Sequence, residues 1–196
     1  MTKYWCFFCL FVLFNCSKKD VFSTPELIET TIELDFAQTL GGSKNDAFYS
    51  VKKTTDGGYI TVGYSQSNDF EIDFKTNESF DILVAKFSFD NTLEWQKTFG
   101  GSEDDRGADI VQTFDGSFAL LGYSKSADRD VSANAGNQDF WLLKISSSGN
   151  LLWEKTFGFS GADYGTTLIQ TNDNGFLISG VLDVTASNGQ GNEKTT

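Results

Sequence analysis

From residue 35 onward, apolar residues fall in short alternating runs separated by glycine, asparagine, aspartate and serine. Within 95–155 the pattern predicts strands over Trp95–Phe99, Ala108–Thr113, Phe118–Ser124, Phe140–Ile145 and Leu151–Lys155. The breaks at Asp115-Gly116 and Ser148-Gly149-Asn150 have hairpin chemistry, because glycine and asparagine accept the positive φ of tight turns. No stretch of this region keeps the 3.6-residue period of an amphipathic helix. The first residues differ: Tyr4–Phe14 is an unbroken apolar run, shorter than the roughly 20 residues that span a bilayer.

The alternating region repeats itself. Trp95 recurs as Trp153, and Lys97, Thr98, Phe99, Gly100, Ser102, Asp105, Gly107, Gln112, Thr113, Asp115, Phe118 and Gly122 each recur 58 residues later without a gap. An earlier copy lies 59 residues upstream: Gly41-Gly42-Ser43 answers Gly100-Gly101-Ser102, and Gly63-Tyr64-Ser65 answers Gly122-Tyr123-Ser124. Asp81-Ile-Leu-Val-Ala-Lys86 answers Asp139-Phe-Trp-Leu-Leu-Lys144. Tandem units of four short antiparallel strands predict an all-β fold of β-propeller blades. Counted from the tryptophan, the units cover about 35–94, 95–152 and 153–196, the last truncated, so the array is incomplete at about two and three-quarter units. Trp95, Phe99, Gly100, Trp153, Phe157 and Gly158 are then structural: aromatics filling the space between sheets, glycines letting the backbone turn.

The unit W-x-K-T-F-G-G-S…Q-T-x-D-G…G-Y-S…D-F-W-L-L-K…G-N-L-L-W resembles the β-propeller repeats of secreted and lipoprotein chains of Bacteroidetes. The resemblance covers 35–196 and implies fold and a cell-envelope location, with no catalytic residues attached. Phe36 stands where Trp95 does, and Gly180-Val-Leu182 replaces the Gly-Tyr-Ser phrase. Propellers close with four to eight blades, so the chain is expected to be a fragment of a longer propeller or to close by association.

The N-terminal run has the form of a signal-peptide core. Cys6, Cys9 and Cys16 all lie in this region, which leaves the folded part no cysteine for disulfides. Cys6 and Cys9 have CxxC spacing, but inside the apolar run and without a partner pair. Cys16, following Leu13-Phe14-Asn15, resembles a lipobox cysteine, which implies a leader over 1–15, lipid attachment at Cys16, a tether over 16–33 and a repeat region over 34–196. The expected partner is a membrane held through that lipid, most simply the outer membrane, with secretion as the alternative.

Composition narrows the chemistry. The chain has no histidine, which removes imidazole acid–base catalysis and His-ligated zinc. A net charge of −12 argues against nucleic acid, whose phosphates need a basic patch. Oxygen side chains alternate at Asp128, Asp130, Ser132 and Asn134, with Asp139 beyond, and at Asp69, Glu71 and Asp73 in the earlier copy. Such spacing suits a hard cation, since calcium takes six to eight oxygens. Ala133, however, stands where a calcium loop needs glycine, and the third copy offers only Ala186, Asn188 and Gln190. The expectation is solvated loops with no metal and no cofactor. Function is expected to be scaffolding or binding of a protein or glycan. The alternative is a fragment of a carboxylate-based glycan hydrolase or lyase with its active residues in missing blades.

Overall fold

The computed structural model describes residues 37–72 and 75–183. The leader, the tether, Cys16, Asp73 and the 186–190 stretch lie outside the described residues. Contacts divide the chain after Gln38, and the described strands all belong to the body that starts at Thr39.

The described residues of that body are all-β: ten strands in antiparallel sheets of four, four and two. The first sheet runs β1 (Asp46–Lys53), β2 (Tyr59–Ser65), β3 (Asp81–Phe87) and β4 (Leu93–Phe99). The second runs β5 (Asp105–Gln112), β6 (Phe118–Ser124), β7 (Asp139–Ile145) and β8 (Leu151–Phe157). The third holds β9 (Tyr164–Gln170) and β10 (Phe176–Val181). Each sheet is a meander in chain order, so every connection within it is local.

The period agrees with the sequence, but the phase of the sheets differs from a unit opened at the tryptophan. Trp95 pairs with Lys86 and Trp153 with Lys144, so the tryptophan strand is the last of its own sheet rather than the first of the next. The cause is the turn before it. Asn91 (φ 68°) and Gly149 (φ 79°) hold the left-handed conformation of the β3–β4 and β7–β8 hairpins, which ties each tryptophan strand to the strand preceding it.

The sheets stack face to face. Ile60, Val62, Ile82 and Val84 of the first meet Ile110, Phe118, Leu120, Trp141, Leu143 and Ile145 of the second. On the reverse face of the second sheet, Ala119, Leu121, Phe140 and Leu142 pack with Leu168, Phe176 and Ile178 of the third. The initial strands β1, β5 and β9 lie side by side across the stack. Gly107 and Gly165 are needed there: a Cβ on either would overlap Val62 or Leu121 of the preceding sheet.

Each initial strand carries the same defect. Tyr49, Ala108 and Thr166 stand at the register shift, one extra residue opposite a continuous partner. A bulge of this kind re-aims the side chain it carries.

Candidate functional site

Most of the repeated polar residues are spent on the frame. Asp46 and Asp105 are hubs at the head of β1 and β5. Each accepts a backbone N–H (Gly42 and Gly101, 2.7 Å each) and the hydroxyls of two serines, Ser65 and Ser67 or Ser124 and Ser126. At Asp46 burial pushes the carboxyl upward, but those donors outweigh it and hold it below its ordinary value. Asp105 lies deeper, and there burial prevails and raises it.

Gln112 and Gln170 each accept a backbone N–H from the turn of the preceding sheet, Thr55 and Phe114, at 2.8 Å. Asp109, in the middle of β5, joins all three initial strands. It accepts from Ser50 (2.6 Å) on one side and Thr167 (2.8 Å) on the other, and pairs with Lys52 at 3.0 Å. Lys144, though buried, ends on Thr113 and Asp115, while Lys86 ends on Asp56 and Glu94.

The loop carboxylates do not converge on an ion-sized centre. Asp69 accepts the N–H of Ser43 (2.9 Å) and Asp128 that of Ser102 (2.8 Å), each closing a loop that lies 26 residues back. Asp130 accepts from Gly100 N–H at 3.1 Å. Glu71 meets Gln96 through its backbone carbonyl. Asp139 sits apart, at the head of β7, and accepts from Ala135 N–H at 2.7 Å. Among the described residues no three acids, cysteines or histidines gather as a metal cluster.

Gly100 and Gly158 act through space rather than through a turn. A Cβ on Gly100 would lie 2.8 Å from both Asp81 Oδ1 and Asp105 Oδ2; one on Gly158 would overlap Asp139 and crowd Asp163. Trp95 bridges two sheets, its ring 6.2 Å from Phe118 and its Nε1 donating to Ser147 O at 3.1 Å; Phe99 is buried in the same core. Trp153 repeats the ring contact with Phe176 at 6.1 Å but remains 38% exposed, and Phe157 is exposed too. The third sheet has no described counterpart of the β7–β8 turn to cover them.

One cluster is not consumed by the frame. Tyr49, pushed outward at the β1 bulge, is 62% exposed and meets Tyr64 edge-on at 5.5 Å. Tyr64 meets Phe80 edge-on at 5.2 Å, and the Arg106 guanidinium lies over both rings, 4.6 Å from Tyr64 and 4.0 Å from Phe80. Asp104 grips Arg106 through Nε (2.9 Å) and Nη2 (3.3 Å), with Lys125 and the Tyr123 hydroxyl beside it. Burial and then the charge of Asp104 push the Tyr123 phenol up to about 12, so it stays a donor at any physiological pH. The aromatic row could not be read from the sequence, because it joins β1, β2, the head of β3 and β5. The bulge that turns Tyr49 out has no composition signature.

A cleft of about 190 Å³ is lined by Lys75, Thr76, Asp81, Thr98, Gly100, Arg129 and Asp130. Arg129 holds a positive φ of 57°, as does its counterpart Phe70 at 50°, and both are exposed. A wider hollow of about 470 Å³, at the opposite end of the sheets near Lys52, Gln112 and Phe114, contains no acid.

No family model matches the chain. Nor does any curated protein match it.

Proposed function

We propose that the chain is a cell-envelope lipoprotein whose sheets are blades of a β-propeller and whose task is binding, with its membrane anchor a lipid on Cys16. The observation that carries the binding reading is the bulged, exposed Tyr49 at the end of the Tyr64–Phe80–Arg106 stack. Rings set edge-on to one another, with a guanidinium over two of them, offer apolar ring faces beside polar edges, which suits a sugar ring or an aromatic side chain of a partner protein. Asp104, the acid of this cluster, is held by Arg106 and Lys125.

The hydrolase alternative needs two carboxylates that reach a substrate. The paired acids here, Asp81 with Asp105 and Asp139 with Asp163, recur at both sheet junctions and are buried beneath Gly100 and Gly158. Recurrence and burial favour a structural role for them.

Binding of the full chain to arrayed glycans and peptides tests the reading. Tyr49→Ala should weaken any ligand found by about fivefold, matching the roughly 1 kcal/mol of one aromatic contact, without moving the melting temperature. Unchanged affinity in Tyr49→Ala would sink the site, and turnover of a glycan hit would favour the enzyme. Mass spectrometry of the mature N-terminus tests the anchor: a free Cys16 thiol refutes it.

A further inference from the structure

The two sheet junctions place a pair of buried aspartates in the same position and then treat them differently. At the first junction Asp81 faces Asp105 across Gly100, and the pair is well supplied. Asp81 Oδ2 lies 3.8 Å from the buried Lys75 ammonium, while Oδ1 accepts from Ser79 (3.2 Å) and Asn77 (3.4 Å). Asp105 has the two serine hydroxyls and a backbone N–H described above.

At the second junction Asp139 faces Asp163 across Gly158. Both acids are kept, and both are buried, Asp139 at 2% exposure and Asp163 at 0%. Their partners are not kept. Counted back from the aspartate, Lys75 becomes Ala133, Asn77 becomes Ala135 and Ser79 becomes Asn137. Counted along the next unit, Ser124 becomes Leu182 and Ser126 becomes Val184. Among the described residues Asp163 is left with the backbone N–H groups of Phe159 and Asp183, and Asp139 with that of Ala135. Asp139 Oδ1, buried and turned toward Gly158 and Asp163, has no hydrogen-bond partner.

An unpaired carboxylate oxygen in the interior is costly, and two carboxylates in one enclosure are costlier. The first copy relieves this with an ammonium. The second has alanine at that position, which removes the charge. We infer that the second junction binds a hard cation between Asp139 and Asp163, supplying the positive charge that Lys75 supplies beside Asp81 in the first. Calcium fits best: its charge balances both carboxylates, and it takes oxygen ligands with water completing its shell. With only two protein carboxylates, the affinity belongs to the weak class of extracellular modules, a Kd on the order of 10⁻⁴–10⁻³ M. This site differs from the loop set Asp128–Asp130–Asp139, whose first two members cap backbone N–H groups elsewhere.

The test is calorimetric titration of the purified full chain with calcium chloride, alongside melting curves in calcium, in chelator and in sodium chloride of equal ionic strength. One calcium per chain should bind in that range and raise the melting temperature. Asp139→Asn should abolish the heat of binding. Ala133→Lys, which copies the first junction, should also abolish it while melting above the parent in chelator, so that loss of binding cannot be ascribed to misfolding. Absence of binding at tenfold above that range overturns the inference, as does a sodium chloride shift equal to that of calcium. So does calcium binding that survives in both variants.

Discussion

At the scale of single residues, the aspartates decide how this protein responds to acid. Asp81 is pushed up to about 6, first by burial and then by the neighbouring Asp105, with Lys75 pulling the other way. Asp105 and Asp139 are raised too, burial being the main cause in each. A carboxyl whose folded value exceeds its unfolded one favours the fold when protonated. Its contribution is full below the unfolded value and is lost as pH rises through the folded one. Asp46 works in the opposite sense: its lowered value stabilises above the unfolded value, and that is lost on acidification. The melting temperature should therefore climb as pH falls from 7 toward about 5 and decline below about 4. Asp81→Asn should flatten the climb. A melting temperature that only falls from pH 7 downward would contradict the burial argument. None of this was legible in the sequence. Asp69, Asp128 and Asp130 alternate as calcium ligands do, and the expectation of solvated loops missed their partners, Ser43, Ser102 and Gly100, which lie 26 to 30 residues away and follow no local pattern.

At the scale of elements, the repeat was open to reading, and its phase lay in the turns rather than in the tryptophan from which the units were counted. Identities at a fixed shift located the strands, the T-x-D-G turns and the frame glycines, because strand alternation and turn chemistry are local properties. The tryptophan is the loudest residue of the unit and so invites a boundary in front of it. The Gly149 turn, itself visible in the sequence, binds Leu151–Phe157 to Asp139–Ile145 and puts that boundary after Phe157. The two tryptophans consequently carry different loads. Trp95 has Phe118, Ser147 and Gly149 of the next sheet against it, whereas Trp153 has Phe176 and open solvent. Trp95→Ala should approach the roughly 3–5 kcal/mol of a buried aromatic truncation, and Trp153→Ala should cost about half of that or less. Denaturant titration of the two variants compares them directly; equal losses would show that position in the strand, rather than the neighbouring sheet, sets the cost.

At the scale of the whole molecule, stability is distributed by neighbours. Stacked repeats gain most of their stability from the interfaces on either side, so a unit with two covered faces should outlast a unit with one. The second sheet is covered by the first through Ile110, Phe118, Leu120 and Trp141, and by the third through Ala119, Leu121, Phe140 and Leu142. The third has two described strands, and its far side leaves Ile169, Leu177 and Val181 exposed. Its ties to the second sheet are Leu168, Phe176 and Ile178 in the core, together with Thr167 on Asp109 and Gln170 on Phe114. Amides that exchange through local opening should therefore rank by sheet. Those of β6 and β7 should be slowest, close to the global unfolding limit, and those of β9 and β10 faster by orders of magnitude. Thr167→Val removes one tie without touching the core, so it should speed exchange in β9 and β10 while leaving β6 and β7 unchanged. If all three sheets exchanged at one rate, and Thr167→Val moved them together, the stack would be a single cooperative unit and the neighbour argument would fail.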